Sequence, residues 1–91
     1  MANQMMGPDG HYRSEKEERR INLAVVSALG GTQGEELLNY LRSITVNVAS
    51  GPEISDRALM HLEGMRFLVG VLSTRINLGH KAKTHVDDQK E

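Results

Sequence analysis

Apolar residues recur along this chain at helical spacing, in three blocks separated by breaks that contain glycine or proline. In the first block Ile21, Ala24, Val25, Ala28 and Leu29 share one side of a helix. Ser14 and Glu17 form an S-x-x-E capping box ahead of it, and Gly30-Gly31 makes continuation costly, which predicts a helix over about 15–29. Thr32 and Glu35 repeat the box. Leu37, Leu38, Leu41, Ile44, Thr45 and Val48 then form a stripe opposite Glu35, Glu36, Asn39, Arg42, Ser43 and Asn47. Ser50-Gly51-Pro52 stops that run, so the second helix is expected over about 33–49. The β-branched cluster Ile44, Thr45, Val46 and Val48 is compatible with a strand, but a lone strand would have no partner elsewhere in the chain.

Ser55 and Asp56 open the third block, expected over about 56–78 as a rod about 35 Å long at 1.5 Å per residue. Its pattern is unusual. Ala58, Leu62, Met65, Val69, Leu72 and Ile76 follow a four-three alternation and form one narrow seam. Met60, Gly64, Phe67, Val71, Thr74 and Leu78 repeat the same spacing about half a turn away. A helix apolar on two faces is normally covered from both sides. Either the first helix covers one seam and the second helix the other, or the second helix folds back on the first seam and a different molecule covers the rest. The predicted fold is all-α, a helical hairpin or small bundle built around a long central third helix. Residues 1–13 are expected to be a flexible arm, 14–78 a single helical domain and 79–91 a polar tail.

Composition sharpens the choice between the two coverings. The 91 residues include one Phe, two Tyr, no Trp and no Cys. A domain of this size buries a small fraction of its surface and commonly needs a disulfide, a metal or oligomerisation. Cysteine is absent, so self-association is the staple that remains, and Gly64 inside the second seam would let a partner helix approach closely. A formal charge of -1 provides no general field for a nucleic-acid backbone. The start of the chain has no secretory pattern, and its best apolar run, Phe67 to Leu72, is far shorter than the roughly 20 residues of a membrane span. No membrane association is expected.

Candidate chemistry is thin. None of His11, His61, His80 and His85 forms an H-x-x-x-H pair, so no metal or other cofactor is expected. Glu17-Glu18, Glu35-Glu36 and Asp87-Asp88 are adjacent pairs whose side chains diverge on a helix, which suits solvated faces better than acid-base catalysis. Ser14 and Ser55 are explained as caps, and GGTQG lacks the Lys-Ser or Lys-Thr of a phosphate loop. Arg75, Lys81 and Lys83 cluster where cations complement the end of a helix, and they offer a weak nucleic-acid contact at most. Glu63 and Arg66 can pair along the helix, or Arg66 can reach a partner chain. The chain is not expected to be an enzyme. Its candidate interface comprises Met60, Gly64, Phe67, Val71, Leu78 and Arg66.

Leu62-Glu63-Gly64-Met65-Arg66-Phe67-Leu68-Val69, preceded by Gly34-x-x-Leu37-Leu38-x-x-Leu41, resembles a family of small helical proteins of tailed bacteriophages, of the Bordetella-phage type. The pattern is also similar to the small proteins that short-tailed phages encode beside the portal gene. The likeness spans about Gly34 to Ile76, and the aromatic expected after Leu41 is missing. The resemblance implies a structural or head-assembly accessory protein in the bacterial host cytoplasm or the virion, with Glu63, Gly64 and Arg66 as a helix-packing group and no catalytic residues. A homo-oligomer is then the leading expectation, with other virion proteins as possible partners. An adaptor or inhibitor that docks on a host protein is the alternative, followed by a weak nucleic-acid binder.

Overall fold

The computed structural model describes residues 4–90, with side chains described as far as Lys83. The elements run β1 (Gln4–Met6), β2 (Tyr12–Ser14), α1 (Glu15–Leu29), α2 (Thr32–Ser43) and α3 (Asp56–Lys90). The protein is therefore mainly helical, with a short β-hairpin that the all-α expectation did not contain. β1 and β2 pair antiparallel with Met5 opposite Arg13, in the stretch expected to be a flexible arm. The hairpin loop closes through hydrogen bonds from Gly7 N to His11 O and from Gly10 N to Gly7 O. Gly10 supplies the positive φ of 85° that this tight reversal requires.

Helix boundaries follow local chemistry. At the start of α1, Ser14 Oγ accepts a hydrogen bond from Glu17 N at 3.2 Å, as its capping box predicts. α3 opens in the same way, with Ser55 Oγ accepting from Ala58 N at 3.1 Å. The second box does not form: Gly31 caps α2 without a side-chain hydrogen bond. α2 also ends at Ser43, not near residue 49. In the β-branched stretch beyond it, Thr45 Oγ1 donates to Leu41 O, and Arg66 of α3 donates to the carbonyls of Thr45 and Val48. Those bonds satisfy backbone acceptors that the helix ladder no longer serves.

α3 differs from expectation at its other end, continuing to Lys90 through residues expected to be a polar tail. Gly79, which reads as a stop, is a contact glycine inside the helix. A Cβ there would lie 2.5 Å from Asn22 O and 2.7 Å from Val26 Cβ, so its missing side chain is what lets α1 cross α3. The Asp87-Asp88 and His85 side chains lie outside the described residues.

Val26, Leu38 and Ile76 form the core, with Val25, Leu29, Leu41 and Leu72 packed against it. Leu62 and Val69 are also buried, so the first seam of α3 is the covered one. Both α1 and α2 pack on that side. This differs from an arrangement with one helix on each seam, and it leaves the second seam outside the core. The molecule measures 55 × 36 × 15 Å. Its thin dimension is little more than the roughly 10–12 Å of one helix with its side chains, so the helices lie in a single layer. The radius of gyration is 16.1 Å, against about 12 Å for a compact chain of this length.

Candidate functional site

The second seam of α3 is the first candidate surface. Met60 is 74% exposed and Phe67 58% exposed, Leu78 is also exposed, and Val71 is half-buried. Leu68, 61% exposed, widens the face toward α2. There Leu41 of α2, Ile44 just beyond its end, and Met65, Leu68 and Leu72 of α3 line a shallow apolar groove. Among the described residues, nothing lies within 4 Å of a Cβ built on Gly64 or Gly70. Each exposed glycine weakens an isolated helix by about 1 kcal/mol relative to alanine, and no packing among the described residues offsets that cost. At the far end of the seam, Leu78 and Ala82 border a second groove with Met5, Met6 and Pro8 of the hairpin.

Of the six candidate interface residues, Arg66 is the exception. Its Nε donates to Thr45 O at 3.0 Å, its Nη2 donates to Val48 O at 2.6 Å, and its Nη1 pairs with Glu63. The guanidinium holds together the turn after α2, so of the two readings of Arg66 the pair along the helix with Glu63 is the one that forms. It is fully engaged within its own chain, whereas Met60, Gly64, Phe67, Val71 and Leu78 remain on one face.

A second cluster, absent from the sequence reading as a unit, joins the hairpin, α1 and α3. Arg75, 3% exposed, donates from Nη1 to Glu18 Oε1 and Asn22 Oδ1, both at 2.9 Å. Its Nη2 reaches Glu18 Oε2 and Asp9 Oδ2, both at 3.4 Å. Arg13 bridges the same two carboxylates, through Nη1 to Glu18 Oε2 at 2.9 Å and Nη2 to Asp9 Oδ2 at 2.9 Å. Two cations and two anions are thus mutually neutralised, and no described buried side-chain polar atom lacks a partner. The Arg75 hydrogen bond, reinforced by Arg13, holds the Glu18 carboxyl below its ordinary value. Asp9 is depressed as well, by its hydrogen bond from Arg13 and then by the backbone N–H of His11.

This cluster corrects the reading of Arg75 as part of an exposed basic patch with Lys81 and Lys83: it is buried and neutralised. One sequence signal could have found its partners. Glu18 and Asn22 stand four apart and in line with Val25 and Leu29, which puts polar residues at core-facing positions of α1. Asp9 and Arg13 carry no such signal, because a hairpin loop brings them into place.

Among the described residues, no group of three or more His, Cys, Asp or Glu side chains is arranged to hold a metal ion, and no helix is long and apolar enough to cross a membrane. Comparisons of the chain with protein-family models, curated proteins and solved structures found no match.

Proposed function

We propose that this chain is a non-catalytic assembly protein that acts by packing the open face of α3 against a second copy of itself, in the structural or head-assembly machinery of a tailed phage. The observation that carries the self-association is the exposure of Met60, Phe67 and Leu78 on one face of a helix whose opposite seam is buried. Scattered apolar residues on a surface are ordinary, but a contiguous apolar strip on a chain with a small core marks a contact surface. The core supports the same reading: among the described residues, no large side chain is fully buried. The phage assignment rests on the resemblance of the α2 and α3 motifs, and with it the setting, in the bacterial cytoplasm or the particle. The neutralised Arg75 weighs against the nucleic-acid reading, because it removes one of the three cations that reading used.

The test compares the parent chain with Phe67→Glu by light scattering, beside their circular dichroism. The expected outcome is an unchanged helical spectrum with a lower mass for the variant. A parent that stays monomeric at high micromolar concentration overturns self-association. A monomeric parent that recovers one host protein at stoichiometric yield selects the adaptor reading instead.

A further inference from the structure

The spacing of the second seam is symmetric, although its residues are not. Met60 and Leu78 stand nine residues either side of Val69, Gly64 and Thr74 five, and Phe67 and Val71 two. A two-fold axis beside the middle of this seam therefore matches it to itself when a second copy runs in the opposite direction. Resting on the self-association proposed above, we infer that two copies pair their α3 faces antiparallel about that axis, each seating Met60 in the groove that Leu78 forms with the hairpin of the other.

Three observations carry the orientation. The first is steric. Antiparallel pairing sets Met60, exposed at one end of the seam, against the partner's Leu78, where Met5, Met6 and Pro8 border an open groove. Phe67 meets the partner's Val71, and Gly64 meets the partner's Thr74. The small Gly64 and Thr74 thus separate the bulky contacts at each end from the Phe67–Val71 contacts near the axis. The second is the bare Gly70, one residue from the seam centre on the flank that carries Asp56 and Lys81, where no side chain of either copy obstructs the approach at the axis.

The third is charge. Asp56 and Lys81 lie on the same flank, within about 20° of each other at 100° per residue, thirteen residues before Val69 and twelve after it. A two-fold antiparallel pair keeps each flank on its own side, so Asp56 meets the partner's Lys81 at both ends. A parallel pair, whose two-fold runs along the helices, sets each flank against the opposite one and keeps Asp56 at the other end of the contact from the partner's Lys81.

The absence of cysteine makes the register directly readable. Met60→Cys and Leu78→Cys variants each carry a single thiol, and the two positions are about 27 Å apart on one helix at 1.5 Å per residue. The variants are mixed, equilibrated and treated with a short bis-maleimide, and the covalent dimers are identified by intact mass. The expected result is a dominant mixed species joining one copy of each variant, with little product from either variant alone. Self-cross-linking of Met60→Cys and of Leu78→Cys, or a dimeric parent that yields no mixed species, overturns the antiparallel register and leaves self-association standing. A parent of monomer mass by light scattering overturns the self-association beneath it.

Discussion

The stretch of α3 from Leu72 onward and the stretch before it bear on their surroundings in different ways. The later stretch is gripped from two sides: Gly79 lets α1 press close, and Arg75 is fastened to Glu18 and Asn22 on α1 and to Asp9 of the hairpin loop. The earlier stretch is covered on one side only. Arg66 ties it to the turn after α2, while Met60, Phe67 and Leu68 face outward. Specific polar contacts within the chain fix the later stretch. Apolar surface without an internal partner dominates the earlier one, and burial of such surface is non-directional and roughly proportional to area. One helix thus serves as an internal strut and as a presenting edge.

Breaking the grip should have the largest effect. Arg75→Met leaves the buried Glu18 without its principal partner, and removal of one member of a buried ion pair costs about 3 kcal/mol or more. Urea unfolding should show a midpoint far below that of the parent, whereas Met60→Ala on the presenting stretch should barely move the midpoint of the monomer. Next comes Gly79→Ala, which forces α1 away because the new methyl meets backbone as well as side chain; overpacking of this kind costs about 1–3 kcal/mol and should appear as a lower thermal midpoint.

Acid sharpens the comparison. Since the folded Glu18 carboxyl titrates below its ordinary value of 4.5, the unfolded chain binds more protons in the interval between the two values, and stability rises with pH there. The contribution is present above that ordinary value and is lost as pH falls through the depressed one. Urea midpoints measured across the acidic range should fall in the parent, and less steeply in Glu18→Gln, which has no carboxylate to protonate. The smallest effect carries two signs. Gly64→Ala should stabilise the isolated chain by up to about 1 kcal/mol through helix propensity, yet raise the dissociation constant of the dimer, because its methyl enters the contact. Thermal unfolding at low concentration reads the first effect and sedimentation equilibrium the second.

Much of this architecture was legible in residue patterns. Ser14 with Glu17 and Ser55 with Asp56 marked helix starts through short-range hydrogen bonding, and the spacing of Leu62, Val69 and Ile76 marked the seam that is buried. What depends on distant partners was not legible. The end of α2 turns on Arg66 capturing carbonyls twenty-one and eighteen residues away. The hairpin likewise depends on contacts that Asp9 and Arg13 make with α1 and α3. Gly79 shows why a local rule fails here. Glycine is costly in a helix interior, so it reads as a stop, but crossing by a second helix makes its missing side chain useful. Five of the six candidate interface residues fall on one open face because helical periodicity alone decides which residues share a side. The pair of Arg66 with Glu63 was legible from their spacing, while its bonds to Thr45 and Val48, which turn it away from the open face, were not.

The central claim is that the presenting stretch of α3 is completed by a second copy, and the measurement closest to it is the mass of the unmodified chain across a concentration series by sedimentation equilibrium. The account predicts a rise from 10.1 kDa toward twice that value, with Phe67→Glu remaining at 10.1 kDa throughout. A parent chain that holds at 10.1 kDa up to high micromolar concentration contradicts it.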